Sequence, residues 1–402
     1  CRADITYMLQ ILSDEYDLGE VFVRAAFGDD NDRVRYLLSQ KGVYVDYVMP
    51  VSEETNQMQI SNETALMTAS KEGRPEIVQT LLEFRADVNL TANFTGYDIG
   101  GDNGEYEMSA LTLVCENLNV DIVKLLLAVD NVKINNPDPT PLVVACLTST
   151  NVDEMYVGCD RHKIVKMLLN KGADVNIPEK NGVTPLMAAC NYLHGPIVDL
   201  LLSVQDINIE AVNEDGDTAL LCTYQVLDLD DPDAHLGTVD ALLTNGANVN
   251  VHAKNGDTPL INACFFGYDK IVKRLLEVKD IEIDAKNEDL ETALVVASAK
   301  NRVAIVRQLL KRNADVNAAR TKFQDRDENF ALYEAIRNGH LEVITELVRA
   351  GARMTQTTVY NILNDSDVDP RSAWITILNA QAKRANDASD GRPKTRSRTA
   401  RQ

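Results

Sequence analysis

Histidines, cysteines and clustered acidic residues are the side chains here that could do chemistry, because they supply general bases, nucleophiles and metal ligands. The histidines are scattered along the chain, at His162, His194, His235, His252 and His340. The sequence contains no zinc-metalloprotease helix, phosphate-binding glycine loop, kinase signature or nucleophile elbow. We therefore predict a non-enzymatic protein with no catalytic residues, no cofactor-binding residues and no cofactor.

The seven cysteines contain no C-x-x-C pair and no paired framework. Four of them lie six residues after a Ser or Thr that opens a recurring phrase: Cys115, Cys146, Cys190 and Cys264. Sister copies carry Ser70 and Ser298 in this slot, so it requires a small buried side chain. Equivalent positions in stacked helices lie ~8–10 Å apart, too far to share one ion. We predict structural thiols, no metal site and an intracellular protein, cytoplasmic rather than nuclear.

Two acidic segments offer oxygen ligands for calcium. They are GYDIGGDNGEYE, within residues 90–107, and LDLDDPDAHLG, at residues 227–237. Neither fits the calcium-binding loop D-x-[DN]-x-[DN]-G-x₅-E, and a solvated acidic loop is the ordinary case. We interpret both as insertions into a repeat array, together with a third near residues 148–160.

The net charge is −21, although basic residues are concentrated in the tail after residue 383. The acidic remainder repels phosphate backbones and argues against nucleic-acid binding, and it favours a basic or amphipathic protein partner. No apolar run approaches the ~20 residues needed to cross a bilayer, so no membrane span is predicted.

The elements that would position these residues are helices, because one phrase recurs about nine times. Clear copies begin with Thr-Pro-Leu or Thr-Ala-Leu at Thr64, Thr184, Thr258 and Thr292. An aliphatic helix and a Gly-Ala-Asp/Asn-Val-Asn hook follow, as at residues 172–176 and 246–250. The pattern predicts that each Thr caps a first helix, that Pro occupies its first turn, and that the hook glycine is left-handed.

This wording resembles the ankyrin repeat family, over roughly residues 17–352. The resemblance implies an all-α fold, an α-solenoid of about nine ankyrin-like helix-turn-helix repeats with a capping half-repeat. We expect an N-terminal helical cap at 1–16 and a solenoid at 17–353 with insertions near 90–107, 148–160 and 227–237. A degenerate C-terminal cap would occupy 354–383 and a disordered basic tail 384–402.

In that family, partners are held by loop tips and by exposed positions of the first helix. When this family pattern is carried over by position, the exposed first-helix residues are Tyr192 and Phe266, which lie eight residues after Thr184 and Thr258. Candidate tip residues are Asp215, Asp217, Asn255, Asp257 and Asp289. Alternatively, the two rings pack under the insertion at 227–237. The resemblance also assigns His194 and His340 a structural role, hydrogen-bonding neighbouring loops.

The sequence therefore predicts a monomeric scaffold that binds a partner protein or peptide on the concave face of an ankyrin-repeat array. One alternative is the cytosolic repeat region of a larger protein, such as a ubiquitin-ligase adaptor, ion channel or signalling enzyme. The start at Cys1 rather than Met motivates it, and we expect a fragment. A reader of modified peptides is the other alternative, with Tyr192, Phe265, Phe266 and Tyr268 as candidate cage aromatics.

Overall fold

We analysed a computed structural model of the 402-residue chain. It describes residues 18–49, 60–61, 63–97, 104–136, 139–147, 154–224, 232–318, 330–353, 374–375, 377–379 and 381–382. The predicted N-terminal cap at 1–16 and the basic tail at 384–402 lie outside the described residues, as does most of the C-terminal cap at 354–383.

The chain divides into two compact units, residues 1–214 (unit 1) and 215–402 (unit 2). The described part of unit 1 contains, in order, α1 Leu18–Phe27, α2 Asn31–Leu38, β1 Ile60–Ser61, α3 Ala65–Lys71, α4 Pro75–Glu83, β2 Thr91–Tyr97, β3 Gly104–Ser109, α5 Ala110–Glu116, α6 Val120–Leu127, α7 Pro141–Cys146, α8 Glu154–Asn170, α9 Pro185–Asn191 and α10 Gly195–Leu202.

The described part of unit 2 contains α11 Ala219–Cys222, α12 Pro232–Thr244, α13 Pro259–Phe266, α14 Asp269–Leu276, α15 Ala293–Ala299, α16 Val303–Lys311, α17 Phe330–Arg337 and α18 Leu341–Ala350. The helices of the described residues thus form pairs, five in unit 1 (repeats 1–5) and four in unit 2 (repeats 6–9). Helices α8 and α12 begin inside the insertions predicted near 148–160 and 227–237.

Within each unit the paired helices stack on their neighbours. In unit 1, first helix α3 packs against α1 and α5, and second helix α4 packs against α2 and α6. Six consecutive residues of α3, Ala65–Ser70, are buried, whereas α4 buries mainly one stripe that includes Ile77, Val78 and Leu81. Small residues on the first helices allow this close approach, and the aliphatic stripes supply the apolar burial that stabilises the stack.

The predicted threonine caps are confirmed. The hydroxyl oxygens of Thr184 and Thr258 accept hydrogen bonds from the backbone N–H three residues on, at 3.3 and 3.2 Å. Thr218 is the exception, because its buried hydroxyl makes no cap hydrogen bond. The hook glycines predicted to be left-handed, Gly172 and Gly246, have positive φ, and so do Gly42, Asn313 and Gly351 at the corresponding ends of other second helices.

The segment expected to be a long loop near residues 90–107 contains an antiparallel pair of strands. Strand β2 pairs with β3 and, on its other side, with β1, which gives a three-stranded sheet in the order β1-β2-β3. Phe94 and Tyr106 lie directly opposite each other and are both buried. A cross-strand aromatic pair of this kind stabilises β2 and β3 against each other.

The terminal Asn of each hook ties one inter-repeat loop to the next. Asn250 donates from Nδ2 to the Asp280 carbonyl oxygen at 2.8 Å, and its Oδ1 accepts from the Glu282 N–H at 2.9 Å. Asn176 makes the same two contacts, with the Asp206 carbonyl oxygen and the Asn208 N–H. One amide side chain thus satisfies two backbone groups of the following loop.

We expect Asn250→Ala to lower the free energy of unfolding of unit 2 by about 1–3 kcal/mol, since both groups of the 280–282 loop lose a partner. Asn245→Ala is the matched control, because exposed Asn245 donates only to the Ala241 carbonyl oxygen of its own helix. Site-resolved hydrogen exchange of the Glu282 amide measures the effect. Equal protection in the two variants would contradict the role given to Asn250.

Candidate partner-binding surface

The loop tips of unit 2 are held together by side-chain amides and carboxylates. Asn255 Nδ2 donates to Asp257 Oδ2 at 2.8 Å, and Asn287 Nδ2 of the next loop donates to Asp257 Oδ1 at 2.9 Å. The Glu288 N–H also donates to the Asn255 carbonyl oxygen at 3.0 Å. Adjacent tips are therefore fixed relative to each other before any partner arrives.

The five predicted tip residues differ in how much of each reaches solvent. Asp215, Asn255 and Asp289 are exposed, Asp257 is half-buried in the network just described, and Asp217 is buried. Exposed carboxylates suit a basic partner, whereas a buried Asp217 has little surface to offer one. Whether any of the five contacts a partner stays a prediction.

The aromatic side chains at the end of α13 form a layered cluster. The Phe266 ring stacks on Tyr268 with centroids 5.7 Å apart, and Tyr268 lies 4.8 Å from the His235 ring of α12. His235 belongs to the segment at 227–237, so the alternative in which Phe266 packs against this insertion has a direct chain of contacts. Tyr224 closes the cluster, 6.4 Å from Tyr268, and burial raises the pKa of its hydroxyl.

Phe265 is the most exposed ring of this cluster and lies beside two cations. Its side chain is 45% exposed, whereas Phe266 is half-buried. Lys300 Nζ lies 4.2 Å from the Phe265 ring centroid, and the Arg302 guanidinium donates to the Phe266 carbonyl oxygen at 3.0 Å. The edge of α13 therefore presents an aromatic face whose cation–π position is already occupied from within the chain.

Tyr192 of unit 1 occupies the position that corresponds to Phe266 but has other surroundings. It is half-buried and stacks on His194, with ring centroids 6.2 Å apart. Burial, and next the charge of Arg161, lower the pKa of His194 to about 4. A histidine that stays neutral at pH 7 and packs on a neighbouring ring is a structural residue.

The hydrogen bond to a neighbouring repeat that was predicted for both histidines is made by one of them, His340. His340 Nε2 lies 3.0 Å from the Ala299 carbonyl oxygen of the preceding repeat. His194 Nε2 is buried and has no hydrogen-bond partner in the described part of the chain. His194 therefore contributes packing where His340 contributes a hydrogen bond.

The cysteines predicted to fill small buried slots do so. Cys115, Cys146, Cys190 and Cys264 are buried as free thiols, and Ser70 and Ser298 are fully buried in the same slot. Burial raises the pKa of the Cys146 thiol to about 12. Since the thiolate is the reactive species, these side chains react only when their repeat opens.

Sequence comparison assigns the chain to a family. A family model described as ankyrin repeats (3 copies) matches residues 92–176, 154–224 and 233–320, and a single ankyrin repeat model matches residues 61–93. Together these matches cover more than half of the chain. The chain belongs to the ankyrin repeat family. The helix pairs within the matched residues are ankyrin repeats, which are protein-interaction modules.

Individual ankyrin relatives resemble parts of the chain. The ankyrin repeat protein FPV031 of fowlpox virus (strain NVSL) is 33% identical over 154 residues, 37% of this chain and 43% of that protein. The Caenorhabditis elegans ankyrin repeat and KH domain-containing protein mask-1 is 28% identical over 304 residues, 75% of this chain and 10% of that protein. The chain thus spans less than half the length of either relative.

Among solved structures, the human ASB11 ankyrin repeat domain matches with 24% identity and a TM-score of 0.46, over 60% of this chain and 97% of that domain. Ankyrin repeats are generally interaction domains without catalytic activity of their own. In the described ranges, no helix combines the length and apolarity that a bilayer crossing requires.

The sequence selected Phe266 as a partner-binding position and named Phe265, its more exposed neighbour, only among the candidate cage aromatics. Counting eight residues from Thr258 gives the position of Phe266 in the repeat. The backbone of the last turn of α13, however, determines which of the two adjacent phenylalanine rings faces solvent. Gly267 marks where α13 ends, but nothing in the sequence indicates which of the two rings before it reaches solvent.

Proposed function

We propose that this ankyrin-repeat chain is a non-enzymatic scaffold that binds a basic or amphipathic partner protein through its first-helix ends and loop tips, the concave side in this family. The observation that carries the proposal is that α13 of unit 2 has the hydrogen-bonded acidic tip of residues 255–257 before its first residue and the exposed Phe265 ring in its last turn. Aromatic rings that protrude from an ordered surface are typical interface anchors.

The hydrogen-bonded tips support rigid presentation. Because Asp257 is already bonded to Asn255 and Asn287, little side-chain entropy is left to lose when a partner docks against these loops. Exposed Asp215 and Asp289 add a negative field that accelerates the approach of a basic partner. The alternative function, a reader of modified peptides, receives less support, since Lys300 Nζ already lies over the face of the Phe265 ring that would form part of its aromatic cage.

We expect Phe265→Ala to reduce recovery of the partner about tenfold in affinity capture with the full chain, because an exposed anchor is lost while the fold keeps its core. Phe84→Ala is the matched control: Phe84 is 42% exposed at the end of a second helix, where the proposal places no contact. Crosslinking followed by quantitative mass spectrometry identifies and measures the captured protein.

Phe266→Ala and Tyr192→Ala separate anchoring from packing. If either ring anchors the partner, capture falls while helical circular dichroism and the midpoint of thermal unfolding stay unchanged. If the ring only packs, as the Phe266–Tyr268–His235 contacts suggest for Phe266, capture falls only as far as folding does. Equal capture by wild type, Phe265→Ala and Phe84→Ala would refute the proposed surface.

A further inference from the structure

A cavity of about 200 Å³ lies between α1 and α3, at the ends of the first helices of repeats 1 and 2. Its lining residues are Val23, Arg24, Phe27, Met49, Glu63 and Thr68. This volume falls below the ~300–1,000 Å³ of small-molecule sites, so it suits one side chain rather than a metabolite.

One of the residues that line this cavity carries a buried carboxylate. Glu63 is only 7% exposed, in the residue before the N-cap Thr64, and its carbonyl oxygen accepts from the Met49 N–H at 3.1 Å. Burial raises the pKa of the Glu63 carboxyl, against a smaller opposing effect of Lys71. A hydrogen bond from the Thr68 hydroxyl to the Glu63 side chain also opposes the rise of this pKa, and the same hydroxyl lies 3.2 Å from the Thr64 carbonyl oxygen. Within the described part of the chain, no Lys or Arg forms an ion pair with the Glu63 carboxylate, and Lys71 is the only cation among the causes that act on its pKa.

Three of the six lining residues are apolar. Val23 is buried and Met49 is half-buried, whereas the Phe27 side chain is 59% exposed. Arg24, the cation that also lines the cavity, is 2.6 Å from Glu20 on its own helix. An occupant would thus meet aliphatic side chains, an aromatic ring and a buried carboxylate.

We propose that this cavity is a socket for one lysine side chain of a basic partner segment. A lysine has a four-carbon stem that can lie along apolar surface and a compact ammonium that can reach a single carboxylate. The exposed Phe27 ring adds a favourable contact to the stem or the ammonium. An aliphatic side chain would instead desolvate Glu63 further without compensating its charge.

The socket belongs to repeats 1 and 2, and the proposal does not depend on the surface around Phe265. A probe without any partner protein can therefore test it. We choose the tripeptide acetyl-Ala-Lys-Ala-amide, with acetyl-Ala-norleucine-Ala-amide as the uncharged isostere. Binding is followed on the full chain by the ¹³C-methyl signal of Met49, assigned through Met49→Leu.

We expect saturable shifts of the Met49 methyl signal with the lysine peptide, and at least tenfold weaker binding of the norleucine peptide. Glu63→Gln should weaken lysine-peptide binding at least tenfold, and Phe27→Ala about threefold. Glu291→Gln is the matched control, because Glu291 also directly precedes a capping Thr. The bound lysine should also lower the pKa of the Glu63 carboxyl, whose charged neighbours are Arg24, Lys71 and Glu72.

Three results would overturn the socket: no saturation with the lysine peptide, equal affinity for the norleucine peptide, or unchanged affinity in Glu63→Gln. Because Phe27 is exposed, its variant keeps the test decisive even if Glu63→Gln perturbs folding. The two proposals fail separately: unchanged partner capture in Phe265→Ala counts against the proposed surface, whereas unchanged lysine-peptide binding in Glu63→Gln counts against the socket.

Discussion

Arg161→Ala is expected to lower the free energy of unfolding of unit 1 by about 2–4 kcal/mol. Arg161 lies on α8 with only 2% of its surface exposed, and it donates to the carbonyl oxygens of Ala145, at 3.0 Å, and of Leu147. These carbonyls belong to the C-terminal end of α7, where no intrahelical N–H is available to them. The Ala variant leaves both acceptors unsatisfied and opens a cavity where the long side chain was.

The burial of Arg161 has an opposing cost that limits this loss. Desolvation is the main cause that lowers the pKa of the Arg161 guanidinium, so the charge itself is disfavoured in the folded state. Arg161→Met, which restores apolar volume without the charge, should therefore recover part of the stability. If Arg161→Ala left the free energy of unfolding unchanged, the stabilisation from the two carbonyl hydrogen bonds would only balance the cost of desolvating the guanidinium.

Buried thiols provide the measurement. Cys146 lies at the end of α7, so its alkylation rate reports the opening of that repeat, while Cys264 reports unit 2 and should be unaffected. Lys163→Ala is the control on the same helix, because Lys163 is exposed and bonded to Asp160; such exposed pairs contribute about 0–1 kcal/mol. A second readout is the pKa of His194, which should rise from about 4 when the Arg161 charge is removed.

Most of the helical framework could be predicted from sequence because its determinants are local. A Thr accepts a hydrogen bond from a backbone group three residues away, and a hook glycine needs a left-handed conformation wherever the fold places it. Cys190 and Cys264 occupy slots whose size depends only on the spacing of neighbouring helices. Each of these features recurs with the repeat, so one copy predicts the next.

The strand pair escaped prediction for a different reason. The acidic and glycine-rich composition of this segment indicated a solvated loop. Ala92 and Phe94, however, alternate with polar residues, as do Tyr106 and Met108. Alternation of this kind on both sides of a Gly-rich stretch predicts a β-hairpin, but the helical periodicity of the flanking repeats favoured a loop between helices. All four side chains are buried.

The buried charges of the candidate sites had no local signal at all. Arg and Glu are almost always exposed, so nothing in the letters marks Arg161 or Glu63 as buried. Their burial depends on helices that are adjacent in space, and the Glu63 cavity also depends on Phe27 and Met49 from the preceding repeat. Single-sequence reasoning places a residue within its repeat, but it does not give the side chains contributed by the neighbouring repeat.

Gly256 lies where the backbones of two adjacent tips of unit 2 approach closely. Gly256→Ala is expected to lower the free energy of unfolding of unit 2 by about 2–4 kcal/mol. Its φ is +80°, which by itself costs a side-chain-bearing residue roughly 1–2 kcal/mol. An added Cβ would also lie 2.7 Å from the Glu288 nitrogen and 2.9 Å from Asn287 Cα. These are backbone atoms of the next tip, so the clash must separate the loops and break the Glu288–Asn255 hydrogen bond.

Gly246→Ala provides a matched comparison within the same unit. Gly246 has a similar φ of +91°, but an added Cβ would meet no atom within 4 Å, so this variant carries the backbone strain alone. The excess destabilisation in Gly256→Ala, read from the alkylation rate of Cys264, measures the close approach of the two tips. If the tips also present the partner-binding carboxylates in a fixed arrangement, Gly256→Ala reduces partner capture under conditions where both variants remain folded. Equal stability and equal capture in the two alanine variants would show that the tips do not need this contact.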